Sequence, residues 1–143
     1  MSRIASLSVA VVVAIGVLIA GPPPGGAARP TTYAPQKCSK PRVEPSTIVI
    51  TCADGGLYLK VKRWSYWNGR EAGGMAKVFA NDCDPSCIGG TYHEGRAKIR
   101  LTRPRKRTCN GRRGIRIFQR IKLDWRYMPV PGLGRNYDLA CYP

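Results

Sequence analysis

Three groups of side chains in this chain carry chemistry, and the largest is cationic. Lys60, Lys62, Lys98, Arg100, Arg116, Arg120 and Lys122 alternate with apolar residues, while Arg103, Arg105, Lys106, Arg107, Arg112 and Arg113 crowd one short stretch. Arginine grips phosphate or carboxylate with two parallel hydrogen bonds where lysine offers a point charge, and the chain has 16 arginines to 8 lysines. The second group is His93, Glu94 and Arg96, a set that could perform general acid/base cleavage of RNA. Neighbours on a strand point to opposite faces, so His93 and Glu94 would share a pocket only on a loop or bulge, and the favoured reading of His93 is an ordinary surface residue. The chain has no nucleophile elbow, no second histidine and no phosphate-binding glycine loop of recognised spacing. No catalytic residue is therefore assigned, and no cofactor is expected.

The third group is Asn81-Asp82-Cys83-Asp84-Pro85-Ser86-Cys87, followed by Gly89-Gly90. Two cysteines four apart can close a tight loop whose Asn81 or Asp82 bonds neighbouring amides. A zinc site would want four soft ligands, and exported cysteine pairs are usually oxidised. A calcium site on Asp82 and Asp84 is the weaker alternative, and no metal is assigned.

Address and class follow from the rest of the chain. Arg3, an uncharged run from Leu7 to Ala20, a Pro/Gly stretch and the small residues Gly26-Ala27-Ala28 make a secretory signal over residues 1–28, cleaved after Ala28. An uncleaved membrane anchor is the less favoured reading, because the run is shorter than the roughly 18 to 20 residues a spanning helix needs. Removing 28 residues from 143 leaves 115, enough for one domain. The 24 Lys+Arg include Arg3, so the mature part holds 23 against 8 Asp+Glu, a formal +15. That imbalance attracts polyanions such as nucleic acid, anionic lipid or phosphate-bearing wall polymers; the bland alternative is a charge that only solvates the surface. Cys38, Cys52, Cys83, Cys87, Cys109 and Cys141 read as a disulfide framework. Six cysteines allow 15 pairings, of which the sequential one, Cys38–Cys52, Cys83–Cys87 and Cys109–Cys141, is our choice.

The elements that must position these groups read as strands. Residues 29–45 hold four prolines and are expected as an extended lead-in, with one domain over 46–143. Thr47–Cys52 is β-branched, and Leu57, Leu59 and Val61 alternate with Tyr58, Lys60 and Lys62. Ala97–Thr102 and Ile115–Arg126 repeat that alternation, the second with Arg116, Phe118, Arg120 and Lys122 on the polar parity. Asn110-Gly111 predicts a hairpin between them with a basic tip, Arg103–Arg107 being read as loop. Gly74–Ala80 and Asp138–Cys141 are shorter strand candidates, and Trp64–Ala72 is read as holding at most one helical turn. Trp64 and Trp67 are expected to pack a corner of the core, a stacking platform for a sugar or base being the alternative. The expected architecture is all-β: a small, disulfide-stabilised antiparallel sandwich or partly open barrel.

Cys52-Ala53-Asp54-Gly55, Trp64 and Trp67, Ala72-Gly73-Gly74, Asn81-Asp82-Cys83-x-Pro85-x-Cys87-x-x-Gly90 and Leu101-Thr102-Arg103-Pro104 together resemble small secreted actinobacterial proteins of uncharacterised function. The resemblance spans most of residues 38–125. It implies export and a short disulfide-containing domain, and it carries no reaction. This chain is more basic than that group, above all from Arg103 to Arg126, so a ligand of a neutral relative would not transfer. The function expected is therefore non-catalytic binding of an anionic surface or polymer, with a small basic ribonuclease-like hydrolase and a merely solvated structural domain as alternatives.

Overall fold

The computed structural model describes residues 30–143; the expected signal peptide, residues 1–28, lies outside the described residues. Among the described residues there is no helix, and none therefore long and apolar enough to cross a membrane. Eight strands form the domain: β1 (Thr32–Pro35), β2 (Pro41–Arg42), β3 (Thr47–Val49), β4 (Leu57–Trp67), β5 (Ala72–Asn81), β6 (Tyr92–Cys109), β7 (Arg112–Met128) and β8 (Asn136–Asp138). They pair in the order β2-β1-β7-β6-β5-β4-β3, with β8 also on β7, and every pair is antiparallel except β1 with β7. The sheet curls into a partly open barrel. Its two edges approach where the Val49 amide donates to the Gln36 carbonyl at 3.2 Å, and Cys38–Cys52 staples the same seam.

Curling follows from the sizes of the inward residues. Inward positions of β5 carry Ala72, Gly74, Ala76, Val78 and Ala80, against Leu57, Leu59, Val61, Trp64 and Trp67 from β4. Small residues on the middle strand let the sheet close over the large ones of its neighbours, and Ile48, Ile99, Leu101, Phe118, Ile121, Leu123, Val130 and Leu139 complete the core. The Cys38–Cys52, Cys83–Cys87 and Cys109–Cys141 bridges are those expected.

Five expectations need correction. The lead-in over 29–45 supplies β1 and β2, with Thr32, Ala34 and Pro35 buried, because β1 finds an open edge on β7 opposite Arg116 and Ile117. Arg103–Arg107 is not a loop: β6 runs through it to Cys109, opposite Arg112–Gln119 of β7, and turns at Asn110 (φ 50) and Gly111 (φ 71). Trp64–Ala72 contains no helical turn. β4 instead runs through Trp67, and two β-bulges in it, at Val61/Arg63 and Trp64/Tyr66, bring both indoles to the inner face. Phe118, expected outward with Arg120, is fully buried, because alternation breaks near Gln119, opposite Arg103 with its φ of 54. The final strand, expected over Asp138–Cys141, lies instead at Asn136–Asp138; Cys141 is drawn away to Cys109.

Candidate polyanion-binding face

The outer face of β4–β7 collects most of the strand cations. Lys60, Lys77 and Arg96 stand directly opposite one another on β4, β5 and β6. Arg63, Met75, Lys98 and Asp124 form a second row across four strands, and Tyr66, Gly73, Arg100 and Lys122 a third. The bulges set which β4 residues join them. Unbroken alternation from Lys60 would turn Arg63 inward and Trp64 outward; the bulges at Lys62 and Ser65 reverse both, so that Lys60, Arg63 and Tyr66 all face out. Lys62 itself stays exposed beside Met75, Lys77 and Arg96.

Two carboxylates on this face are committed to single cations. Glu71 accepts from Arg100 at Nε (2.8 Å) and Nη2, and Glu94 pairs with Lys77, whose ammonium holds the Glu94 carboxyl below its usual range. Arg120 is half-buried, its Nε 3.2 Å from Asp138 Oδ1. Arg103, Arg105, Lys106 and Arg107 are exposed on the part of β6 that runs eight residues beyond Leu101, about 26 Å at roughly 3.3 Å per residue, past the end of β5. That basic arm is tied back by Cys109–Cys141 and by the Asn110 amide on the Tyr142 carbonyl. Arg113 is exposed at the tip, and Arg112 lies over the Tyr33 ring at 4.8 Å and donates to its hydroxyl.

Arg116 does not belong to the face. The break in alternation near Gln119 puts it half-buried beside the β4–β5 turn, where its Nη2 donates to the Gly69 carbonyl at 3.1 Å. Conversely, Arg63, Lys77 and Tyr66 belong to it and escape a sequence reading. Lys77 carried a usable signal, its alternation with Ala76 and Val78, and so did Tyr66, on the parity of Lys60 and Lys62; Arg63 carried none, because its placement depends on a bulge formed against β5.

Between Arg63, Tyr66, Lys98, Arg100, Lys122 and Asp124 lies a cleft of about 420 Å³. Gly74 and Met75 are part of its lining. The Tyr66 ring lies across Gly73, and a side chain on Gly74 would run into the Arg63 carbonyl, so the bulge that turns Arg63 outward requires glycine there.

The acid/base set is not brought together. His93 Nε2 is 3.0 Å from Asp82 Oδ2 and borders a separate cleft with Val130, Pro131 and Leu133, whereas Glu94 and Arg96 lie on the outer face with Lys77. Asp82 Oδ1 also accepts from the Asp84 and Thr91 amides, and the bond from His93 is the largest cause holding the Asp82 carboxyl down to about 2. Asn81 ties the same loop, accepting from the Cys83 amide at 3.0 Å and donating to the Cys87 carbonyl at 2.8 Å. Cys83 and Cys87 are joined, so neither offers a thiolate to a metal. Trp64 and Trp67 meet edge-on, Trp67 meets Phe118 likewise, and their N–H groups donate to the Pro45 and Thr32 carbonyls, which makes them core residues with satisfied polar ends. No protein-family model, curated protein or solved structure matches this chain.

Proposed function

We propose that this is an exported, actinobacterial-type cationic protein that binds an anionic polymer or surface, whether wall polymer, lipid or nucleic acid, through the outer face of β4–β7 and without catalysis. The observation that carries the proposal is the row Lys60–Lys77–Arg96, three cations opposite one another with Glu94 the acid paired into it. Like charges placed opposite each other cost a sheet a few tenths to about 1 kcal/mol per pair, so the row works against the fold and needs another reason. A phosphate-rich partner supplies one, converting that repulsion into attraction shared by several groups. Oxidised cysteines fit the export, since such bridges persist in oxidising compartments.

The test is retention of the oxidised mature chain on heparin and polyphosphate columns under a salt gradient. Lys60→Gln with Arg96→Gln should elute at clearly lower salt than the parent, and Arg105→Gln with Arg107→Gln on the arm should shift less. Elution of the face variant with the parent, or retention indifferent to salt, refutes the proposal and leaves a solvated surface.

A further inference from the structure

The cations of the outer face are flanked by exposed aromatic rings at both ends. At one end Tyr66, 42 % exposed, forms a wall of the cleft that Arg63, Lys98 and Lys122 share. At the other Tyr92, 47 % exposed, stands edge-on to Tyr58 at 5.7 Å, and Tyr58 stacks on Phe79 at 4.9 Å. Gly73, opposite Tyr66, and Asn81, opposite Tyr92, are eight residues apart on β5, so the two platforms lie about 26 Å apart along the strand, with the row Lys60–Lys77–Arg96 between them. Flat rings alternating with cations match a polymer that alternates flat rings with phosphates.

Shape chooses among such polymers. The outer side of a curled sheet is convex, and duplex DNA, with a persistence length of about 150 bp, would touch it along only a short line. A flexible single strand can follow the curve and lay a base on each platform. Anionic lipid fits less well, because the fully exposed apolar side chain Ile88 sits in the loop with Asp82 and Asp84, at the end away from the basic arm. Saturated sugars also fit less well: Trp64 and Trp67, the broadest platforms for them, are turned into the core.

We infer that the outer face of β4–β7 is a track for single-stranded nucleic acid, with phosphates along Lys60, Lys77, Arg96 and Lys98 and a base stacked on Tyr66 and on Tyr92. The inference rests on the polyanion reading and narrows it. Binding of this kind tolerates sequence, since every base has a face to stack.

The experiment is fluorescence anisotropy of the oxidised mature chain with a labelled short oligothymidylate, the matching duplex, and inorganic polyphosphate as competitor. The single strand should bind more tightly than the duplex or polyphosphate. Tyr66→Ala should weaken the oligothymidylate roughly 10-fold, the order measured for losing one base stack, while leaving polyphosphate binding and the salt slope unchanged; Tyr66→Phe should retain the affinity. If duplex or polyphosphate binds as well as the single strand, or if Tyr66→Ala is silent, the track is refuted and the polyanion reading stands. Binding to none of the three overturns both.

Discussion

Replacing Gly73 and Gly74 separately by alanine tests the geometry that builds the cleft. At Gly74 an added Cβ meets backbone on every side: the Arg63 carbonyl oxygen, the Trp64 Cα at 3.2 Å and the Arg63 carbonyl carbon at 3.3 Å. None of these can yield without undoing the bulge, so the cost is that of overpacking, about 1–3 kcal/mol. At Gly73 the nearest atoms are Cε1, Cζ and Oη of Tyr66, at 2.5 to 2.6 Å, the far end of a side chain that can rotate away. A rotamer adjustment of about 1 kcal/mol, offset by the roughly 0.4–1 kcal/mol that alanine gains over glycine through the unfolded chain, leaves Gly73→Ala near neutral. At about 4 °C per kcal/mol for a domain of this size, Gly74→Ala should melt about 4–12 °C below the parent and Gly73→Ala within about 2 °C of it. Thermal and urea unfolding of the oxidised mature chain would read both. Equal losses would mean that Tyr66 does not lie over β5, and a silent Gly74→Ala would mean that β4 is not bulged at Arg63. Gly73→Ala has a second signature: with the fold intact and Tyr66 displaced, affinity for oligothymidylate should fall.

Two further outcomes follow from the loops. Asp82 holds its proton more weakly folded than unfolded, where its pKa is near 3.9, so its stabilisation is complete above about pH 4 and is lost as pH falls toward 2. A carboxyl NMR titration should place its midpoint about 2, and His93→Ala should raise it; an unmoved midpoint would remove the imidazole as the cause. The bridges should rank by the chain they close: replacing Cys109 and Cys141, 32 residues apart, by serine should cost about 3–4 kcal/mol, and replacing Cys83 and Cys87, four apart, about 2 kcal/mol, so a reversed order in urea unfolding would refute the loop-entropy reasoning.

What could be read from the residues alone was local. Leu57–Lys62 and Ala97–Thr102 alternate because each strand buries one face, and Asn110-Gly111 turns because both residues accept positive φ. That alternation also placed Lys60, Lys62, Lys98, Arg100 and Lys122 outward. What could not be read depends on a distant partner. Pro104 and its basic neighbours look like loop, and become strand because Phe118 and Ile117 pair opposite them. Thr32–Pro35 has no strand periodicity of its own; it is ordered by a parallel edge on β7 more than eighty residues away, and by the Trp67 N–H on the Thr32 carbonyl. Arg63 reaches the cleft only because β4 bulges beside Gly74, which has no side chain to meet the Arg63 carbonyl, a dependence that no window on β4 contains.

The placement of the acids bears on whether the basic face is a site or a solvated surface. Mixing both signs over the surface is what solubility alone favours. Here Asp54, Asp82 and Asp84 gather at one end, where the Asn81 amide meets the Gly56 carbonyl and Asp54 comes within 3.9 Å of Cys87. The arm with Arg103, Arg105, Lys106, Arg107, Arg112 and Arg113 projects from the other end. Both of the bonded acids hold local structure. Asp54 accepts from the Gly56 amide, which with the Thr51 hydroxyl lowers its carboxyl, and Asp82 ties the loop to Thr91 and His93. The grouping of these three acids is thus imposed by turn chemistry, while Glu71, Glu94 and Asp124 stand among the more numerous cations of the sheet, the first two paired with Arg100 and Lys77. Its consequence is a field with a direction, attractive over the sheet and arm and repulsive at the disulfide loop, which would orient a polyanion along the strands before any contact forms. Reversing Asp82 and Asp84 would disturb the loop, so the field is better tested from the arm. Arg105→Gln with Arg107→Gln should slow association with oligothymidylate at low salt and leave dissociation nearly unchanged, whereas Tyr66→Ala should do the opposite. Equal effects on both rates from either change would mean that arm and cleft act as one contact surface, and the division between steering and holding would fail.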